Sequence, residues 1–533
     1  MAEGPARRGG PPPGPAPLRV LVVGGGITGL ATAWYLRTGA GPVRPEVTLV
    51  EAGPRLGGKV RSECMGGVAV EAGPDTFLAR VPWATDLARE LGLGDDLVAP
   101  ATGSAFVWQG GRLHPIPPGT VLGVPVTARA LLRTGLLSPA GRARAALDLV
   151  LPRRPTGPDP SVADVIGGRL GREVLDHLVE PLVGGINAGR ADALSLRSAA
   201  RQLSMAAGTH RSLVLGLRAG RRPAGGGDGP PGPVFLAVRG GMQRLIDRLA
   251  ASLDGVDVRL EAAAGPMVPA DERADGDGGV ATGRWRVPLG GGGDPDAVDA
   301  DAGEADAVEA DAVEADAVEA DAVEADAVVL TVPAFAAAPV LAGVAPTAAT
   351  ELAAVRYASV VTATLAYRPE DVSRPLAGSG FLVPRGEGTL TTACTFTTSK
   401  WPATAAGGLV LLRASAGRAG DDRAIALDDA ALVDRLHAEL AAMVGLSAPP
   451  MEWRVHRWPR GFPQYEPGHE ARVERIEAAL PPGVFVAGAA YRGLGIAACV
   501  QQAEATAGRV MGLLSHAPTS GSRPRDPVPA RET

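Results

Sequence analysis

The stretch "VVGGGITGL", residues 22–30, sets three glycines in a row and a fourth three residues later. It follows the short apolar, β-branched run "RVLVV" (19–23) and leads into "LATAWYLRT" (30–38), whose apolar spacing is helical; "VTLVE" (47–51) then reads as a second strand. Within this strand-helix-strand unit Gly24, Gly26 and Gly29 form G-x-G-x-x-G. The first glycine allows the tight turn, the second lets backbone approach a pyrophosphate, and the third lets helix pack closely on strand. The helix N-terminus adds amide donors and a partial positive charge. Glu51 lies 22 residues beyond Gly29, at the end of the second strand. A carboxylate there can accept both hydroxyl hydrogens of an adenosine ribose and disfavours a 2′-phosphate, so an NADP site is not expected.

The next segments separate FAD from NAD. "EAGPRLGGKVRS" (51–62) places Arg55, Gly57 and Gly58 just past the ribose acid, so the second strand runs on into a loop along the ligand; "EAGPDTF" (71–77) is another close-backbone turn. At the far end, "FVAGAAYRGLGIAACV" (485–500) has Gly488 at a strand end and Gly493 and Gly495 ahead of a helix, where amides can reach a ribityl chain or a flavin ring. Glycine turns from opposite ends of the chain converging on one ligand point to FAD. No second strand-G-x-G-x-x-G-helix unit occurs, so no dedicated NAD(P)H domain is expected and the electrons should leave to O2 or another soluble acceptor.

With 533 residues, 46% of them hydrophobic, the chain can bury two to four domains. Three cysteines (Cys64, Cys394, Cys499), with no C-x-x-C and no clustering with the seven histidines, indicate neither a disulfide framework nor a metal site, and fit a reducing, cytoplasmic setting. The N-terminus lacks a signal-peptide apolar core, and no stretch has the length and apolarity of a transmembrane segment. The formal charge of −6 is misleading, because residues 296–326 hold thirteen Asp and Glu and no Lys or Arg. The remainder is mildly basic, which suits a polyanionic small substrate but lacks the clustered basic patches of a nucleic-acid binder.

Residues 1–17 and 516–533 read as disordered Pro/Gly-rich tails, and 290–326, with "DAVEA" repeated at period five, as a solvated acidic insertion between two strands. A five-residue period matches neither helix nor strand, so its valines form no single buried stripe. Helical spacing fills much of 125–205, with Ser161 as an N-cap candidate. "ATLAYRP", "GSGFLVP", "TTACTFT" and "GLVLLRASA" read as sheet strands, and "DAALVDRLHAELAAMVG" as a long helix.

Several of these segments carry a family resemblance: "GPDTFL" (73–78), "GRLHPIPPG" (111–119), "LGREVLDHLVEPLVGGINAG" (170–189), "PVFLAVRGGMQRLIDRL" (233–249), "GSGFLVPRGEG" (378–388), "ACTFTTSKWP" (393–402) and "RWPRGFPQYEPGH" (457–469). Over about residues 18–515 the chain resembles the oxygen-dependent coproporphyrinogen III/protoporphyrinogen IX oxidases of haem synthesis, in the monoamine-oxidase-like FAD superfamily, and is most similar to the branch from Gram-positive bacteria and actinobacteria. The resemblance implies an α/β fold: a Rossmann-like FAD-binding domain of the glutathione-reductase/monoamine-oxidase type, a mixed-sheet substrate domain and a helical subdomain. It divides the chain into FAD-binding segments at 18–100, 230–345 and 476–515, substrate-domain segments at 101–124 and 346–475, and the helical subdomain at 125–215. The implied reaction is oxidation of coproporphyrinogen III, with protoporphyrinogen IX, or an amine or polyene substrate, as alternatives. A non-catalytic porphyrin-binding role is the rival outside enzymology. The implied partners are a tetrapyrrole, O2 and, for product transfer, ferrochelatase.

Carried onto this sequence, the resemblance adds Ile27, Thr28, Ala52, Lys59, Gly73, Pro74, Asp75, Thr76, Trp458, Leu494, Gly495 and Ile496 to the Gly24, Gly26, Gly29, Glu51, Arg55, Gly58 and Gly488 already read around FAD. Gly185 falls where the family brings backbone near flavin and substrate, and a side chain there is expected to obstruct the macrocycle. Arg80 and Lys400 are candidate clamps for substrate propionates, and Asn187 flanks the pocket. Structural readings stand beside these: an Asx-turn for Asp75, core for Trp458, a helix C-cap for Gly185, a packed side chain for His469. The chain departs from the usual family wording at Asn187 (commonly Tyr), Arg190 (often Asp) and Ala497-Ala498 (frequently Pro-Asp).

Overall fold

A computed structural model of the protein describes residues 18–39, 44–152, 157–220, 232–270, 283–291 and 321–516. The two expected tails up to 17 and beyond 516, and 292–320 of the acidic insertion, lie outside the described residues.

The strand predicted at 19–23 is central to a five-stranded, all-parallel sheet in the order Val256–Arg259, Glu46–Val50, Arg19–Val23, Ala327–Leu330, Val484–Val486. Strands buried on both faces must be apolar at every position, and Arg19–Val23 alternates between two cores. Val20 and Val22 face the helices Ile27–Thr38 and Ile496–His516. Leu21 and Val23 face Ala334–Leu341, Pro346–Ala353 and His469–Ala479. The last two helices therefore cover the dinucleotide sheet, which corrects the expected 346–475 substrate segment at both ends: their apolar faces complete the core around Leu21 and Val328.

The second sheet has seven strands in the order Glu452–Pro463, Tyr357–Tyr367, Val410–Ala416, Thr391–Phe396, Gly380–Leu382, Phe106–Gln109, Arg112–Pro115. All neighbours are antiparallel except Gly380–Leu382 with Phe106–Gln109, so the sheet is mixed. The helix Asp429–Val444 covers one face, started by the Asp428 carboxylate, which accepts from the Ala431 amide, and stopped by Gly445 at φ +77°.

In the helical region Ser161 caps Val162–Leu170 in a reciprocal box with Asp164. Gly171, at φ +94°, breaks the helix, which restarts and passes through a π turn at Leu175–Val179 into Glu180–Asn187. The hairpin Thr120–Val121/Val124–Pro125 packs on this helical core through Val121 and Val124, so the region begins a few residues before the expected 125.

The acidic insertion is also narrower than 290–326. Trp285–Gly291 continues as strand to Gly291, and the final "DAVEA" unit supplies the strand Ala322–Ala325, antiparallel to it. The period-five argument fails at this last unit because tertiary pairing overrides local pattern: Ala325 is buried beside Trp285. Replacing 292–320 by a short Gly/Ser linker should leave the thermal midpoint and flavin content unchanged. Extending the deletion through Ala325 strips Trp285 of its partner strand and should lower the midpoint, which differential scanning fluorimetry would measure.

Candidate active site

The glycine loop is packed on three sides and open on the fourth. Gly24 takes φ +108°, and a Cβ there would meet the Thr331 hydroxyl at 2.8 Å. At Gly25 it would lie 2.6 Å from Leu56 and 2.9 Å from Glu51 Cβ, and at Gly29 1.9 Å from the Gly24 carbonyl. Around Gly26 there is nothing within 4 Å. The middle glycine of the run, which sequence reasoning did not single out, is thus demanded by the ribose acid itself. Glu51 Oε2 accepts from the Gly25 amide at 2.6 Å and Oε1 from the Gly53 amide at 2.9 Å. Each oxygen keeps further lone-pair capacity for a hydroxyl donor.

The remaining expected cofactor residues gather on this loop to different degrees. Gly57 donates to the Gly25 carbonyl at 2.8 Å, and a Cβ on Gly58, at φ +53°, would lie 3.4 Å from Gly26 Cα. Arg55 folds back onto its own turn, donating to the Gly58 carbonyl. Ala52 and Lys59 are half-buried beside it. The helix beginning at Ile27 and Thr28 has no side-chain cap and no acid in its first turn, and the one beginning at Ile496 has no acid in its first turn either. Helix N-termini of this kind favour an anion. Gly488 (φ +131°) approaches from the other end of the chain, with a would-be Cβ 3.7 Å from the Thr28 hydroxyl. Gly495, like Gly26, faces open space, and Leu494 is half-buried beside it. The turn near the far end of the chain therefore reaches the start of the helix at Ile27, and the glycines at 26 and 495 each leave open space. Cys499 packs against Thr28, its thiol pushed up by burial.

The segment 71–76 crosses between the two sheets. The Ala72 carbonyl accepts from Trp458 Nε1 at 3.1 Å and Thr362 Oγ1 at 2.8 Å, and a Cβ on Gly73 would strike the Lys59 carbonyl at 1.9 Å. Trp458 is buried and holds this turn. Asp75 is paired with Lys400 Nζ at 2.6 Å and lies 3.9 Å from Arg413, which itself donates to the Gly73 carbonyl at 2.8 Å. Burial alone would raise the Asp75 carboxyl, but Arg413 and Lys400 outweigh it and hold it down to about 2. Pro74 and Thr76 are half-buried, Thr76 donating to Asp75. This corrects two expectations: Asp75 spends its carboxylate inside the protein, and Lys400 is an internal ion-pair partner instead of a propionate clamp. Arg80 is exposed and makes no hydrogen bond or ion pair among the described residues.

Gly185 lies within Glu180–Asn187, whose C-cap is Ala188 at φ +46°, so the C-cap reading of Gly185 falls. Gly185 and Ile186 are exposed, and a Cβ at Gly185 would make only ordinary contact, 3.5 Å from Leu382. A side chain at Gly185 would therefore project into open space beside Leu382. Asn187 is buried, its side chain donating to the Val183 carbonyl, and its own carbonyl accepts from Gln464 at 3.0 Å. Arg190 pairs bidentately with Asp192.

Sequence reasoning missed the support beneath the far glycine turn. Tyr465 donates to the Ala489 carbonyl at 2.6 Å and accepts from the Gly493 amide at 2.9 Å; its ring stacks on His469, which donates from Nε2 to the Tyr491 carbonyl. Burial depresses His469 to about 4, keeping it neutral.

Comparison with known proteins agrees with this geometry. The family described as flavin containing amine oxidoreductase matches residues 27–265 and 304–511. The chain is 33% identical to coproporphyrinogen III oxidase of Bacillus subtilis, covering 91% of this chain and 96% of that one. It is 34% identical to coproporphyrinogen III oxidase of Mycobacterium tuberculosis, covering 91% and 95%. A crystal structure from Exiguobacterium sp. 255-15, assigned as a protoporphyrinogen oxidase, superposes with a TM-score of 0.75 at 32% identity, covering 93% of this chain and 99% of that one. Fold and site together define a flavin-dependent oxidoreductase. The chain belongs to the flavin containing amine oxidoreductase family and, within it, to the coproporphyrinogen/protoporphyrinogen oxidases. Its cofactor is FAD. Among the described residues, no helix is long and apolar enough to cross a membrane.

Two expectations follow. Glu51→Gln should weaken FAD binding by roughly tenfold, the worth of one charge-assisted hydrogen bond, as read from flavin released on dilution. His469 has a folded pKa below its unfolded value, so its contribution to stability is present above about pH 6.5 and lost as pH falls toward 4. Wild type should lose on the order of 3 kcal/mol across that window relative to His469→Gln, measured by denaturant melts at each pH.

Proposed function

We propose that the protein is an FAD-dependent oxidase that converts coproporphyrinogen III to coproporphyrin III in porphyrin synthesis, consuming three O2 and giving three H2O2. The observation that carries this reading is the match to coproporphyrinogen III oxidases over 91% of the chain, across both sheets, combined with the approach of Gly488 to Thr28 beside the glycine loop.

FAD, when bound, would supply the two-electron redox chemistry for which O2 is the final acceptor. The macrocycle must lose two electrons and two protons three times, and each loss is driven toward aromaticity. What the protein contributes is placement and exclusion of water. Gly24, Gly26 and the amides after them hold the pyrophosphate, and Glu51 the ribose. The Tyr465–His469 stack fixes the 488–493 turn from behind. His469, neutral and turned onto the Tyr491 carbonyl, serves as scaffold and not as an acid or base. The exposed Gly185 and Ile186 beside Leu382 offer an apolar surface for a tetrapyrrole. On this reading the protein works in the cytoplasm and its porphyrin passes to ferrochelatase for iron insertion.

The test is oxidation of coproporphyrinogen III and protoporphyrinogen IX under air, followed by porphyrin fluorescence and peroxide release. Faster turnover of coproporphyrinogen with three peroxides per porphyrin is expected. A flavin-loaded protein that leaves both porphyrinogens unoxidised, or that turns over an amine or polyene instead, would end this reading.

A further inference from the structure

With Lys400 committed to Asp75, the cation for a carboxylated substrate must be sought elsewhere, and one arginine is conspicuously unpaired. Arg418 follows the strand Val410–Ala416, in a turn set by Gly417 at φ +86°. It is 8% exposed, and its Nε is buried with no hydrogen-bond partner. Among the described residues its guanidinium makes no hydrogen bond or ion pair. Burial depresses the Arg418 guanidinium and nearby Arg385 adds to this; Arg385 Nε likewise lacks a hydrogen bond, lying 3.7 Å from Glu180 Oε1, while its Nη2 donates to the Ala419 carbonyl at 3.3 Å.

The nearby acids do not balance these two charges. Asp421 is held bidentately by Arg423 at 2.7 and 2.8 Å, and Asp192 by Arg190 at 2.9 and 2.6 Å. Glu180 faces both guanidinium groups, while Asp421 and Asp192, already held by their own arginines, act on them only at longer range. A buried cation without a directly bonded counter-charge is costly, and Arg, unlike Lys, cannot escape by losing its proton. Such an arrangement is tolerated where an anion completes it.

The position of the pair says which anion. Glu180 opens the helix that carries the exposed Gly185 and Ile186, five residues on, or about 7.5 Å along the axis. Leu382, which touches the Gly185 position, lies three residues before Arg385. The Ala419 amide donates to the Ala188 carbonyl, fixing the Arg418 turn against the end of the same helix. Asn187 of that helix is tied through Gln464 to the segment whose next residue, Tyr465, holds the 488–493 turn. The arginines thus border the apolar surface on which the flat substrate would rest.

We propose that Arg418, steadied by Arg385, is the receptor for a carboxylate arm of the tetrapyrrole. The proposal rests on the porphyrinogen reading above. Arg385, tied to Glu180 and the Ala419 carbonyl, orients the site; Arg418, with no internal partner, meets the ligand. A guanidinium fork suits a carboxylate bidentately. A tetrapyrrole with four propionates offers more ways to fill this receptor than one with two, so the site favours coproporphyrinogen over protoporphyrinogen.

The test uses the full-length, FAD-loaded protein and compares Arg418→Gln and Arg385→Gln with wild type. Arg418→Gln should raise KM for coproporphyrinogen III and weaken equilibrium binding of coproporphyrin III by about tenfold or more, with kcat and flavin content little changed. Its thermal midpoint should hold or rise, because an unpaired buried charge has been removed; an arginine with a purely structural role would lower it. Arg418→Lys, which keeps the charge but not the fork, should fall between, and it serves as the decisive variant if Arg418→Gln does not retain flavin. Unchanged KM and porphyrin affinity in a flavin-loaded Arg418 variant, with wild type active on coproporphyrinogen, would overturn this proposal alone. An inactive wild type would instead overturn the porphyrinogen reading.

Discussion

The buried contact of Asp75 with Lys400 and Arg413 is what makes one enzyme of two sheets. The three side chains are each about 15% exposed and come from distant parts of the chain, the carboxylate from the segment leaving the dinucleotide domain and the cations from the seven-stranded sheet and its neighbouring turn. A carboxylate in such a place would ordinarily be pushed up by desolvation, yet two cations hold it ionised. Removing either cation would leave a partly compensated charge between the sheets, which is more costly than never burying the group. Trp458 and Thr362 add two donors on the Ala72 carbonyl of the same segment, so its course past Gly73 is determined from several sides.

From that junction the cofactor cleft follows. Segment 71–76 runs against the Lys59 carbonyl, and the turn at 57–58 in turn lies against Gly25 and Gly26. The far turn is propped by Tyr465 and His469, which arrive from the end of the longest strand of the second sheet. Both sheets therefore support the 488–493 turn, while Glu51 is held within the dinucleotide sheet, its backbone bonded to Arg259 and Ala262.

Charge placement shows how far composition can mislead. The net charge of −6 comes largely from the acidic insertion, and the folded parts are arginine-rich. Most of those arginines are spent: Arg169 on the buried Asp148, Arg190 on Asp192, Arg423 on Asp421, Arg413 on Asp75 and Gly73. Counting cations thus says little about where an anionic substrate binds. What matters is which buried cations the fold leaves without a direct partner, and among the described residues Arg418 is distinguished by that and not by its sequence context.

Residues whose roles depend on neighbours within one strand-turn-helix were legible in the sequence. Gly24, Gly26, Gly29 and Glu51 could be read because backbone conformation and Cβ clashes at short range dictate glycine at 24 and 29, Gly26 leaves the space beside them open, and an acid at a strand end has few other tasks. The capping of Val162–Leu170 by Ser161 was legible for the same reason. The roles of Lys400, Asp75, Trp458 and the final "DAVEA" unit were not. A carboxylate and an ammonium 325 residues apart become partners only when two sheets pack, and a polar repeat becomes a strand only when a neighbour such as Trp285 offers an edge. The sequence by itself determined which ligand is cradled, since that is local stereochemistry. The tertiary structure decided which charges remain to greet a substrate, because neutralisation depends on distances across the whole fold.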